Sequence, residues 1–139
     1  MKFKVAVAGI SVGLAICGAA ALQGAVPGAL YDVTTRIGNR CFIVALTRSI
    51  VDDQSAKDPA AVTARGFAEV SEIAKSAANA SSYKPWIVRL HSVEFDRWPL
   101  LKTPICIVRF SAQIDGAEGL LAFIVLPDGR VLVPEACSG

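Results

Sequence analysis

The chain has 139 residues, 53% hydrophobic and 19% charged, with four cysteines and one histidine, which is material for one small domain once an apolar N-terminal segment is set aside. Lys and Arg number 14 against 12 Asp and Glu, and because Lys2 and Lys4 belong to that segment the rest of the chain is electrically balanced. A balanced domain without a basic run or stripe lacks the counterion-displacing face that DNA or RNA binding requires, so nucleic-acid partners are excluded.

Lys2 and Lys4 precede Val5 to Leu22, which carry no charge, and a short positive region before an apolar core is the pattern of an export signal. Ala19-Ala20-Ala21 supplies the small residues before a signal-peptidase cut and predicts cleavage after Ala21, with Ala25 as a second site. The uncharged stretch is also long enough to span a bilayer. Gly9, Gly13, Cys17 and Ala21 recur every fourth residue and would give such a helix a smooth ridge for close packing. Residues 1–25 therefore read as a signal peptide or a single transmembrane anchor, with residues 26–39 as a linker and 40–139 as an exported domain. The positive residues predict that the domain lies outside the cytoplasm, periplasmic or membrane-anchored. Cys17 follows Leu14-Ala15-Ile16, but the bulky Ile16 departs from the small residue that lipidation requires before its cysteine.

Without that segment three cysteines remain, Cys41, Cys106 and Cys137. In an oxidising compartment an odd number predicts one disulfide and one buried thiol. Cys137, two residues from the C-terminus, is assigned to Cys41, with Cys106–Cys137 as the alternative.

After a polar bend over 31–39, the β-branched run Cys41 to Val51 predicts a strand and Asp52 to Asp58 a loop. Asp58-Pro59 is a helix start, a capping side chain followed by a residue tolerated in the first turn. The helix is expected to reach Ala80, with Val62, Phe67, Val70, Ile73, Ala74 and Ala77 on its apolar stripe.

From Lys84 the period falls to two. Trp86, Val88 and Leu90 share a face, and Val93 and Phe95 fall out of phase with them, which predicts a bulge near His91 or Ser92. In the next strand Cys106, Val108, Phe110, Ala112 and Ile114 form the core face. Asp115-Gly116 to Gly119 reads as a turn, Leu120 to Leu126 as an apolar strand, and Pro127-Asp128-Gly129 as a hairpin turn into Arg130 to Val133. The fold class is α+β, one long amphipathic helix on a four- or five-stranded, mainly antiparallel sheet. In element order this resembles the cystatin-like and nuclear-transport-factor-like cones.

Catalytic inventory is sparse. His91, Glu94 and Asp96 do not share a strand face, so they assemble no metal site locally. A nucleophilic pair would need His91 beside Cys106 or Cys41, and burial of Cys106 suppresses its thiolate. No phosphate loop, dinucleotide fingerprint or zinc signature occurs, and neither metal nor cofactor is expected. Arg97 and Trp98 are the candidate contact surface. The leading expectation is a non-catalytic accessory or binding domain that meets a membrane, a membrane-protein assembly or another protein partner. The alternative is a small periplasmic enzyme or apolar-ligand carrier with a pocket between helix and sheet.

Overall fold

The computed structural model describes residues 26, 28–57, 65–97, 101 and 104–137. The described chain opens with a hairpin of β1 (Ala29–Ile37) and β2 (Arg40–Thr47), followed by helix α1 (Arg48–Ser55) and helix α2 (Phe67–Ala80). A 3-10 turn (Lys84–Trp86) leads into β3 (Ile87–Asp96), β4 (Ile105–Ile114) and β5 (Ala117–Val125), and the short strands β6 (Val131–Leu132) and β7 (Glu135–Ala136) follow. The fold is α+β with two antiparallel sheets, one ordered β1-β2-β7 and the other β3-β4-β5-β6.

The central pair β4–β5 has to satisfy both faces. Alternate residues of β4, Cys106, Val108, Phe110, Ala112 and Ile114, join Leu121, Phe123 and Val125 of β5 in a cluster under α2. Ala122 and Ile124 point the other way and meet Ile105, Ile107, Val44, Leu46 and Val51 in a second cluster beneath the β1–β2 hairpin. A strand covered on both sides reads as continuous apolar sequence, and β5 from Leu121 to Val125 is buried throughout. Each fully buried aliphatic or Phe side chain contributes about 1.5–3 kcal/mol, whereas a surface ion pair such as Arg40–Asp115 contributes about 0–1 kcal/mol. The two clusters therefore hold the layers together.

Helix α2 approaches its sheet on small residues, burying Val70, Ala74 and Ala78 at four-residue spacing. Those alanines leave room for the edge-to-face pair Phe110–Phe123, whose centroids are 5.3 Å apart. Phe67, expected on the same stripe, is instead 58% exposed at the first turn.

Several expectations are revised. The single sheet is two, and the second sheet covers the face that a cone would leave open. Residues 29–37, read as bend and linker, form β1, where Tyr31, Val33, Thr35 and Ile37 lean inward and Asp32, Thr34 and Arg36 outward. The run from Cys41 stays extended only to Thr47, whose hydroxyl accepts from the Ile50 amide and starts α1 across what read as strand end and loop. Gly119 lies inside β5 rather than in the turn, which is the pair Asp115 and Gly116, both at positive φ. The bulge near His91 is present, with register shifts between Leu90 and Ser92 and between Ile87 and Arg89. The helix expected to run unbroken from Asp58-Pro59 to Ala80 instead starts at Phe67, because Gly66 before it is extended and serves as the N-cap; Asp58-Pro59 themselves and residues 1–25, including Gly9, Gly13, Cys17 and Ala21, lie outside the described residues.

Gly119 is where the layers touch. A Cβ there would lie 2.6 Å from Ile37 Cγ1 and 3.1 Å from the Arg36 carbonyl oxygen, so only a residue without a side chain lets β1 cross β5 at this spacing. Gly119→Ala is expected to destabilise the domain by about 1–3 kcal/mol, the usual cost of overpacking. Urea denaturation should show the midpoint falling at unchanged slope, and an unaltered midpoint would remove the crossing as a constraint.

Candidate functional site

Strand β3 is the outer strand of the four-stranded sheet, so one row of its backbone groups faces away from any neighbour among the described residues. Such an edge is a template for pairing unless blunted. Here the bulges around Val88 and His91 blunt its first half, and the regular stretch from Ser92 to Asp96 remains. Phe95 on that stretch is 47% exposed. Phe67 follows Arg65, whose charge reaches the Cys106 thiol, and Cys106 is the partner of Phe95 across β3 and β4. Both exposed rings thus sit toward the same end of the sheet, where exposed Arg97 follows β3. Of the expected contact pair, Arg97 is placed there and Trp98 lies outside the described residues.

The opposite face of the same strand end is polar. Arg109 Nη1 donates to Glu94 Oε1 at 2.8 Å, and both lie in the electrostatic surroundings of Tyr31. Burial, reinforced by the Asp96 and Glu94 carboxylates, pushes the Tyr31 hydroxyl up to about 12, so it is a neutral donor across the physiological range.

The candidate nucleophile and base are not brought together. Cys106 pairs with Phe95, whereas His91 sits at the bulge opposite Arg109 and Phe110, three to four residues away, or about 10–13 Å along a strand. His91 is exposed and Cys106 is buried against α2. Burial drives the Cys106 thiol up to about 11, although Arg65 pulls the other way. Among the described residues no group of three or more His, Cys, Asp or Glu is arranged to hold a metal ion, and no helix is long and apolar enough to cross a membrane.

Cys41 and Cys137 form a disulfide, with 5.4 Å between Cα atoms and 96 residues between them in sequence. Around it the C-terminal segment is fastened to the hairpin tip: Tyr83 donates its hydroxyl to the Pro134 carbonyl at 2.6 Å, Phe42 packs edge-on against Tyr83 and Trp86, and Arg40 lies over the Trp86 ring at 5.2 Å. This aromatic corner had no motif in the sequence, because its members come from three separate elements.

The fastened segment forms one wall of an apolar groove of about 440 Å³. β2 supplies Ile43, Ala45 and Thr47, α1 supplies Ile50, and Val131 and Val133 face them, with Val26 at the rim and Glu135 as the one charged lining residue. The groove thus lies between β2 and β6, whereas the interface between α2 and the sheet is filled by the first cluster.

Beside that groove, α1 is tied to the β5–β6 turn by charge. The Asp128 amide donates to Gln54 Oε1 at 3.1 Å, Arg130 Nη2 to Asp53 at 2.9 Å, and Lys57 Nζ lies 3.7 Å from Asp128. Partial burial alone would raise the Asp128 carboxyl, but the Gln54 amide, the Arg130 amide and the two cations outweigh it and hold it below the ordinary carboxylate value. Asp52 and Asp53 are exposed neighbours on α1, and Asp53 serves this ion-pair network. Comparison with protein-family models, curated proteins and solved structures finds nothing that matches the chain.

Two outcomes follow from these ionisations. A carboxyl with a depressed folded value adds stability that is present above its unfolded value of about 3.9 and lost as pH falls through the folded one. Thermal melts should therefore show Asp128→Asn lowering stability at pH 7 and the gap to wild type closing toward acid, whereas a gap that does not depend on pH would discount the network. Iodoacetamide at pH 7.5 is expected to leave Cys106 unmodified in the folded protein and to alkylate it on unfolding, as peptide mass would report; rapid labelling of the native chain would contradict its burial.

Proposed function

We propose that this chain is an exported, non-catalytic binding domain that works at or near a membrane as an accessory subunit, engaging a protein partner through Phe95, Arg97 and Phe67. The observation that carries the reading is the open end of β3 with two phenylalanine rings in solvent, since a large aromatic is the side chain most readily used as a binding anchor. An extended partner segment could also use the unpaired backbone from Ser92 to Asp96. The export segment supports the location, and the Cys41–Cys137 bond is of the kind that an oxidising compartment sustains. The separation of His91 from Cys106 favours binding over nucleophilic catalysis.

The test is recovery of the full-length chain from detergent-solubilised membranes of its source cells. A stoichiometric partner is expected, with recovery falling about tenfold or more in Phe67→Ser/Phe95→Ser, each anchor contributing about 1–2 kcal/mol, while the melting temperature stays close to wild type. A freely soluble monomer that turns over a substrate would overturn the proposal.

A further inference from the structure

The free edge of β3 has a definite register. Asp115 and Gly116, both at positive φ, close β4 onto β5 as a two-residue turn, so Ile114 and Ala117 on either side of it are a hydrogen-bonded pair and even-numbered residues of β4 turn their backbone groups to β5. On the far side of β5 the Leu126 amide donates to the Arg130 carbonyl at 2.8 Å, in the phase that this pairing requires. Odd-numbered residues of β4 therefore turn toward β3, where Ile105, Ile107 and Arg109 meet Asp96, Glu94 and Ser92. The amides and carbonyls of Val93 and Phe95 are left on the edge, which no strand covers among the described residues.

The two faces of this stretch differ in chemistry. Val93 packs on the cluster under α2, and Phe95, two residues on, shares that face and is exposed. Glu94 and Asp96 point to the other face, where both act on Tyr31 together with the Arg109 cation. Arg109 is bonded to Glu94, and Asp96 has no ion pair among the described residues, so one carboxylate is in excess. That excess opposes a second copy. An antiparallel partner must set outward backbone groups against outward ones. With Phe95 opposite Val93 of the other copy, Glu94 faces Glu94; with Phe95 opposite Phe95, Glu94 faces Asp96; with Val93 opposite Val93, the pairing runs into the bulge between Leu90 and Ser92. Like charges directly opposite each other destabilise a strand pair.

We infer that this edge receives an extended segment of another protein, antiparallel to Val93-Glu94-Phe95, whose central residue is a Lys or Arg set opposite Glu94 and within reach of Asp96, and whose two flanking residues are apolar. The inference rests on the binding reading above and names the chemistry of its partner. Directly opposite side chains have Cβ atoms about 4.5–5.5 Å apart, so the cation shares the face of the two carboxylates. The flanking residues bond the backbone of Val93 and Phe95 and place their own side chains beside the exposed Phe95 ring. Main-chain bonds hold such a strand, and its alternate side chains select it.

The probe is the peptide acetyl-Ser-Val-Lys-Val-Ser-amide, with Glu or Thr in place of Lys in two companions, titrated into the isotope-labelled chain as the cell processes it and followed by NMR. Expected are shifts and slowed exchange at the Val93 and Phe95 amides, little change at the Ser92 and Glu94 amides already bonded to β4, and binding about fivefold or more tighter for the Lys peptide than for the Glu peptide. Glu94→Gln/Asp96→Asn should remove that preference, while the Val108 amide, as the folding control, keeps its protection. Equal binding of the Lys and Glu peptides, binding away from Val93 and Phe95, or no binding overturns the inference. If a partner is nonetheless recovered from membranes and lost in Phe67→Ser/Phe95→Ser, the aromatic anchors stand and only the edge pairing falls. Protection of the edge that grows with protein concentration in the absence of peptide gives it to a second copy and also overturns the inference.

Discussion

The close approach of β1 to β5 at Gly119 determines how the layers of this domain can be arranged. With backbone and Ile37 side chain occupying the space of a Cβ, the hairpin lies directly on the sheet, and Ile37 crosses to join the cluster under α2 together with Phe42. The two apolar clusters are thereby joined at one end. Because β5 from Leu121 to Val125 and the α2 face of β4 are consumed in this way, polar groups gather toward β3, where Arg109 of β4 meets Glu94, and at the gap between β2 and β6.

Legibility in the sequence followed the range of the forces involved. α2 was readable because its buried residues repeat at helical spacing and need only one surface to pack on. β4 was readable because Cys106 to Ile114 alternate cleanly, and the β3 bulge because Trp86 and Leu90 lose phase with Phe95. Where local chemistry competes with packing, reading by pattern failed. β1 alternates with threonine, aspartate and arginine on its outer face, so its composition is that of a bend while its period is that of a strand. At Thr47 a capping hydroxyl ends an apolar run that by composition should have continued. Gly119 looks like turn punctuation, and only the crossing chain gives it a different meaning.

The site followed the same rule. Arg97 is a candidate only because charged and aromatic residues cluster after β3, and Cys41 with Cys137 could be paired because Cys106 belongs to the alternating core face of β4. The groove and the aromatic corner were invisible, being assembled from segments up to about a hundred residues apart with no recurring spacing. Phe67 was assigned to the core on periodicity. It lies outside because it is the first residue of α2, ahead of Val70, Ala74 and Ala78, on which the helix meets its sheet. An aromatic displaced from a core in this way becomes available for contact.

The disulfide also sets an order of events. A chain is made from its N-terminus, so Cys41 exists 96 residues before its partner, and the buried strands β4 and β5 are made between the two. Cys41 must therefore remain a thiol while most of the domain collapses around it, and the bond closes as the last wall of the groove arrives. Until then the domain has no covalent crosslink among its described residues and can be unravelled end to end; afterwards residues 41 to 137 are a closed loop. The lock thus separates a thread that can still be drawn out from a loop that cannot.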